Sequence, residues 1–197
     1  YVLDCEPGTE IVIGHYARDK KEMEEMIRSH NWEKFIRRVP VKKGDFFQID
    51  PGCLHAIKGG TLILETQQSS DITYRVYDYD RLSDGKPRPL HVEQSIATIT
   101  APFVPYKGEP AVEKLEGAVH THLITCPYYS VDKYDICGGF AKDFASFFTN
   151  VSVLEGEGTV DGIPVKKGSH FILPYQYGTC RIEGNLSIIC SNPEKTS

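Results

Sequence analysis

The sequence lacks any long hydrophobic run. Its longest apolar stretches, such as residues 62–64 and 188–190, are far shorter than the roughly 20 residues that a membrane-spanning helix needs. It also lacks a basic excess, because 22 Lys and Arg stand against 27 Asp and Glu and the net charge is −5. Nucleic-acid binding usually requires a concentrated positive patch. These features predict a protein with neither membrane nor nucleic-acid partners.

The six cysteines include no Cys-x-x-Cys pair and lie far apart in the chain. The amino end is acidic, and it has no basic segment followed by an apolar one, which a secretory signal would show. Reduced thiols are therefore expected in preference to disulfides. Together these observations predict a cytoplasmic protein.

Aromatic residues favour β-structure, since the chain has 11 Tyr and 9 Phe but only one Trp and two Met. Short apolar-rich segments between turn residues predict strands over much of the chain, at residues 1–5, 10–16, 45–50, 61–68 and 72–79 and again from His122 onward. The exception is residues 17–39, where Met23, Ile27 and Phe35 fall near helical spacing. This pattern predicts two short helices broken near residues 29–31, and a further helix is expected at 91–99.

A sequence repeat divides the chain. Val-Lys-Lys-Gly occurs at residues 41–44 and again at 165–168, and each copy is followed by a strand, a proline, a turn and a second glycine at the same spacing, Gly60 or Gly184. Matched spacing of this kind predicts two related β-modules. We place their boundary near residue 101, which gives domains at 1–100, with the helical insert 17–39, and at 101–197.

The side chains that could bind a metal or a substrate lie mainly in the first module. His55 follows the Pro-Gly turn and could bind a divalent metal, although a lone histidine is more often structural. In the run that follows, strand alternation would put Glu65 and Gln67 on one face, and Arg75 with Tyr77 on one face of the next strand. Such a polar row either lines a wet functional cavity or is simply solvated. The residues alone leave both possibilities open.

Three segments carry a family resemblance: PGCLHAI, GGTLILETQQSSDITYRVYDYDR and DGKPRPLH. They resemble the short bacterial form of the type I phosphomannose isomerases, which are zinc cupins, and the similarity covers essentially the whole chain. The resemblance implies a mainly β fold of cupin-like double-stranded β-barrels, part of the first and the whole of the second, with short inserted helices. It also implies interconversion of mannose 6-phosphate and fructose 6-phosphate through a zinc-assisted cis-enediol proton transfer.

The resemblance also implies roles for individual residues. The histidine after the Pro-Gly turn, His55, would be a Zn²⁺ ligand, and Arg75 would act in catalysis. Arg81 would bind the substrate phosphate, with Lys86 and Arg88 as helpers. Acidic positions of the same segment would have supporting roles at the substrate site; these are Glu65 and Asp71.

The remaining zinc ligands of the family, a Gln-x-His pair and a glutamate, come earlier in the chain than the first residue of this sequence. We therefore expect that an amino-terminal segment of the same protein supplies them, and that this chain is the carboxy-terminal portion of the enzyme. Aligning the repeats puts Thr179 where His55 stands, so the second barrel is expected to lack metal ligands. Because no third ligand accompanies His120, His122 and His170, they are assigned surface or structural roles.

Two other functions fit the residues. A non-catalytic cupin module that binds a sugar or a protein partner needs no metal site. A metal-dependent oxygenase would need further histidines on the first barrel strands, where His15 is the only nearby candidate. The base that moves the proton in an isomerase stays unassigned.

Overall fold

The computed structural model describes residues 1–70, 72–79 and 81–194. The chain divides into two compact units, Tyr1–Tyr106 and Lys107–Ser197. This division falls after the boundary near residue 101 that the sequence suggests. The reason is that Phe103 belongs to the first unit, where its ring lies directly over the backbone of Gly14.

Over its described residues, the first unit consists of short strands and three helices. The elements are β1 (Val2–Cys5), β2 (Glu10–His15), α1 (Lys20–Arg28), α2 (Trp32–Phe35), β3 (Ile36–Pro40), β4 (His55–Ala56), β5 (Thr61–Ile63), β6 (Leu82–Ser83), β7 (Lys86–Pro87) and α3 (Val92–Thr98). Strand β2 pairs with β3 on one side and β4 on the other, while β1 pairs with β5 and β6 pairs with β7.

Local sequence explains the helices. Helix α1 begins after Asp19, whose carboxylate accepts a hydrogen bond from the Glu22 N–H at 2.8 Å, an N-cap that satisfies a free donor of the first turn. Its buried face carries Met23 and Ile27. The chain leaves the helix at His30, which has a positive φ of 56°. The two inserted helices and their break are therefore confirmed, as is the helix near residues 91–99.

Three strand predictions in the first unit are wrong. Residues 45–50 and 72–79 are not strands, and the segment at 61–68 is a strand only over Thr61–Ile63. Alternation of polar and apolar residues marks a chain that can pair, but a strand forms only where a neighbour supplies hydrogen bonds. Within the described residues, no strand pairs with residues 45–50, 64–68 or 72–79.

The second unit is built on one antiparallel seven-stranded sheet. Its strands are β8 (Ala111–Leu115), β9 (Ala118–Thr125), β10 (Tyr129–Asp143), β11 (Thr149–Val160), β12 (Ile163–Lys166), β13 (His170–Leu173) and β14 (Thr179–Pro193). They follow the order β12-β11-β14-β10-β9-β8 in the sheet, and β13 also pairs with β11. Apolar side chains such as Ile136, Ile182 and Ile188 form the core of the unit. The mainly β architecture is confirmed.

The repeated tetrapeptide forms the same turn in both units. In the first, the side chain of Asp45 accepts a hydrogen bond from the Lys42 N–H at 2.9 Å, and in the second the Ser169 hydroxyl accepts one from the Lys166 N–H at 3.0 Å. The glycine of each copy has a positive φ, 91° in the first and 83° in the second. Each glycine N–H donates to a carbonyl of an adjacent strand at 2.9 Å. The two copies are therefore alike in structure as well as in sequence.

All six cysteines are free thiols, as the sequence predicts. Among the described residues, no helix is both long enough and apolar enough to cross a membrane.

Candidate functional site

His55 lies on β4, opposite Ile13 of β2, and is exposed. The turn before it depends on Gly52, which has φ 84° and approaches the Thr98 carbonyl so closely that a β-carbon would lie 2.9 Å from its oxygen. The ring Nδ1 of His55 is 3.0 Å from the carbonyl oxygen of Cys53. A carbonyl oxygen only accepts, so Nδ1 carries a proton, and in the neutral ring the lone pair then lies on Nε2. A histidine in this tautomer is ready to bind a metal through Nε2.

Arg75 is half-buried and its backbone is held on both sides by His91. The Arg75 N–H donates to Nδ1 of His91 at 3.2 Å, and the His91 N–H donates to the Arg75 carbonyl at 2.7 Å. Although the segment is not a strand, burial still alternates, because Val76 and Asp78 are buried and Arg75 is not. No carboxylate in the described part of the chain pairs with the Arg75 guanidinium.

The Asp78 carboxylate forms ion pairs with two arginines. It is only 6% exposed, and it accepts hydrogen bonds from Arg81 Nη2 at 2.9 Å and from Arg88 Nε at 2.7 Å, with a second bond from Arg88 Nη2. These bonds, those of Arg88 first, lower the pKa of the Asp78 carboxyl to about 2. Two guanidinium groups around one carboxylate leave one net positive charge. Such a group suits a phosphate, which arginine recognises through paired N–H donors.

Two other predicted site residues are exposed, and within the described residues they form no hydrogen bond or ion pair with these groups. Glu65 is exposed and outside any strand, and Lys86 is exposed on the two-residue strand β7. Within the described residues, no hydrogen bond joins His55, Glu65 and Arg75 to one another. Asp71 lies outside the described residues. The structure therefore groups Arg81 with Arg88, through Asp78, but does not bring together the whole predicted set.

Comparison with known proteins identifies relatives along the whole chain. Residues 119–193 match the family described as "Mannose-6-phosphate isomerase, cupin domain". The chain is 43% identical to mannose-6-phosphate isomerase ManA of Bacillus subtilis and 41% identical to mannose-6-phosphate isomerase of Streptococcus mutans, over 98% of its own length in both cases. The crystal structure of the Bacillus subtilis mannose 6-phosphate isomerase superimposes with a TM-score of 0.93 at 43% identity, covering 98% of this chain and 63% of that one.

Over its own length, this chain is therefore similar to mannose-6-phosphate isomerases, and residues 119–193 match their cupin domain. The resemblance seen in the sequence is thus confirmed. The chain spans 62% of the length of each of the two isomerases named above.

The second unit holds a polar cluster that was not evident from the sequence. His120 and His122 lie on β9, and Asp132 lies directly opposite His122 on β10. The Asp132 Oδ1 atom is 2.7 Å from Nε2 of His120 and 2.9 Å from Nδ1 of His122. The three ligand atoms lie within 4.8 Å of one another, an arrangement that could hold a metal ion.

We expected structural or surface roles for these histidines because the sequence shows no third ligand beside them. In the structure, Asp132 provides a third possible ligand. No local motif reveals it, because the contact depends on how β9 and β10 pair, including a register shift between Val131 and Asp132. His170 is separate from the cluster, since its Nδ1 is 2.9 Å from the hydroxyl of Ser152.

Proposed function

We propose that this chain forms part of a mannose-6-phosphate isomerase, which interconverts mannose 6-phosphate and fructose 6-phosphate. The observation that carries the proposal is the 43% identity, over 98% of the chain, to a protein that bears this name. Identity at this level over both units supports common chemistry as well as a common fold. The substrate, a sugar phosphate, is part of the proposal, and so is the cytoplasmic location expected from the sequence.

The proposed metal is Zn²⁺, and His55 is the ligand in this chain. Its Nε2 lone pair is free for the ion because its Nδ1–H is engaged by Cys53. The remaining ligands would come from an amino-terminal segment that the printed sequence does not include. When bound, Zn²⁺ supplies Lewis-acid polarisation of the sugar oxygens at the reacting carbons.

Arg75 is proposed to stabilise the negative charge that develops on the substrate as a proton moves between C1 and C2. The cis-enediol intermediate concentrates charge on its oxygens, and a planar guanidinium can donate two parallel hydrogen bonds to them. Arginine is too basic to exchange the proton readily. The base is therefore another group. Its identity stays open, and Glu65 keeps the supporting role at the substrate site that the resemblance implies.

Arg81 and Arg88 are proposed to hold the substrate phosphate, with exposed Lys86 as a further cation. Asp78 positions both guanidinium groups while leaving a net positive charge between them. Binding the phosphate, which does not react, contributes binding energy that orients the reacting carbons. The phosphate site is therefore proposed to affect the rate of isomerisation as well as the affinity for the sugar phosphate.

Replacing His55 with alanine tests the zinc assignment. In the enzyme that contains all the ligands, the loss of this nitrogen should reduce zinc affinity by more than about 100-fold, because loss of a partner that only orients a ligand already costs about 10- to 100-fold. Isomerase activity should fall in parallel. Metal analysis after dialysis against a graded chelator measures the change. His170→Ala removes an exposed imidazole outside the site and should change neither quantity. Unaltered zinc content in His55→Ala would rule out the ligand role and favour a non-catalytic sugar-binding or protein-binding cupin module.

Replacing Arg81 with alanine tests the phosphate site. Removing one charged hydrogen-bond donor should raise the KM for mannose 6-phosphate by about 10- to 100-fold and should leave zinc content unchanged. Steady-state kinetics with this substrate provide the measurement. Arg18→Ala is the matched control, because Arg18 is an exposed arginine that pairs with Glu22 in the same unit. An unchanged KM would remove Arg81 from the phosphate site.

A further inference from the structure

The second unit contains a set of side chains that the proposed isomerase chemistry does not use. We propose that His120, His122 and Asp132 form a second divalent-metal site, independent of His55, that takes Zn²⁺ or a similar first-row ion. Imidazole nitrogens with a carboxylate oxygen form a ligand set suited to Zn²⁺. Three protein ligands leave one tetrahedral position for a water or for a small anionic ligand.

Strand pairing brings the three groups to one face of the sheet. His120 and His122 are two residues apart on β9, so their rings project from the same side. Asp132 lies opposite His122 across the β9–β10 pair. The His120 ring also stacks on Tyr134, with centroids 4.7 Å apart, and Tyr134 is a buried core residue that is 2% exposed. The imidazole orientation is thus set by packing against the core.

The distances leave room for an ion after a small movement. Ligand atoms around a tetrahedral Zn²⁺ with bonds of about 2.0–2.1 Å lie roughly 3.4 Å apart. The Asp132 Oδ1 atom is 2.7 Å from the His120 nitrogen and 2.9 Å from the His122 nitrogen. Outward shifts of roughly 0.5–0.7 Å would therefore admit the ion. The exposed fractions of the three side chains are 21%, 38% and 18%, so an ion can reach them from solvent.

The nitrogen of His122 that faces away from Asp132 supports a ligand role. Its Nε2 atom is 3.2 Å from the hydroxyl of Thr125. Histidines that bind metals usually donate their other N–H to an oxygen of this kind, which fixes the tautomer and the ring orientation. Glu113 lies opposite His120 on β8 with a carboxylate oxygen 3.9 Å from His120 Nδ1. That distance is too long for a hydrogen bond, so Glu113 contributes only a nearby negative charge.

A purely structural, hydrogen-bonded cluster is the alternative to a metal site. With both rings neutral, Oδ1 of Asp132 could accept one hydrogen bond from each, and the Thr125 hydroxyl could donate to His122. The two arrangements differ in what happens when metal is added, because a hydrogen-bonded cluster has no affinity for an ion beyond that of scattered histidines.

The test is a metal titration of the 197-residue chain after chelator treatment. Co²⁺ absorption in the visible range reports tetrahedral binding, and competition with Zn²⁺ gives the zinc affinity. We expect one ion per chain at this site, with Asp132→Asn weakening it by about 10- to 100-fold. Because asparagine keeps the shape and an acceptor oxygen, the variant should still fold. Zinc should raise the Tm of the unchanged chain but not that of Asp132→Asn.

Three further variants distinguish metal binding here from a hydrogen-bonded cluster and from binding at other histidines. Thr125→Val removes only the oxygen behind His122 and should cost about 10-fold in zinc affinity, an effect that a structural cluster would not produce. His170→Gln and His55→Gln should leave the affinity unchanged, which separates this site from the proposed isomerase zinc. The proposal is overturned if no ion binds, if Asp132→Asn binds as tightly as the unchanged chain, or if binding is lost with His55→Gln.

Discussion

Gly156→Ala is expected to unfold the second unit under conditions in which the unchanged chain remains folded. Gly156 lies on β11 with φ 75°, and a β-carbon there would be 2.0 Å from the carbonyl oxygen of Asn185 on β14. Neither strand can retreat easily, because β14 is held between β11 and β10. We expect the free energy of unfolding to fall by at least about 4 kcal/mol, as for the most severe single substitutions. Denaturant titration followed by circular dichroism measures it.

Substitutions at two other glycines distinguish two causes of the lower free energy of unfolding. One cause is the clash of the added β-carbon with a carbonyl oxygen, and the other is backbone strain at a positive φ. Gly162 has φ 80° but open space around it, so Gly162→Ala adds only backbone strain of about 1–2 kcal/mol. At Gly158 a β-carbon would lie 2.0 Å from the Glu183 carbonyl oxygen, without a left-handed φ. Gly158→Ala should therefore be nearly as damaging as Gly156→Ala. Equal effects of Gly156→Ala and Gly162→Ala would show that the close strand contact is not the cause.

Arg75→Lys is expected to reduce turnover of mannose 6-phosphate by about 100- to 1,000-fold. Lysine keeps the positive charge but loses the planar fork that can donate two parallel bonds to the enediol oxygens. The assay is kcat in the enzyme that carries the complete zinc site. Zinc content should stay unchanged, since Arg75 is proposed to contact the substrate and not the metal.

Arg18→Lys is the control for this substitution, because the Arg18 side chain is 84% exposed and pairs with Glu22 on the helix surface. It should leave kcat unchanged. A kcat within a factor of about three for Arg75→Lys would show that a point charge is enough and that hydrogen-bond geometry at this position contributes little. Loss of zinc together with activity would instead indicate a disturbed metal site.

Features that depend on local sequence were predictable. Helix α1 has its cap at Asp19 and its apolar face at Met23 and Ile27, and both are visible in the printed sequence. The Asp161-Gly162 turn likewise joins β11 to β12, because both residues adopt the positive φ that a tight hairpin needs. In these cases the residues that decide the structure lie within a few positions of one another.

Features that depend on distant partners were not predictable. Residues 72–79 alternate like a strand, yet no described segment pairs with them. Asp132 joins His120 and His122 only through the register of β9 and β10. The contact of Asp78 with both Arg81 and Arg88 was likewise not predictable, because Arg88 is ten positions away from Asp78 and reaches it only once the chain has folded back.

The Val-Lys-Lys-Gly turn has the same hydrogen-bonded cap in both units. Its conformation is set by one glycine and one short polar side chain, Asp45 or Ser169, while the residues ten positions downstream contribute nothing to it. The turn is therefore compatible with different side chains beyond it. One unit holds His55 there and the other holds Thr179, on the same turn conformation.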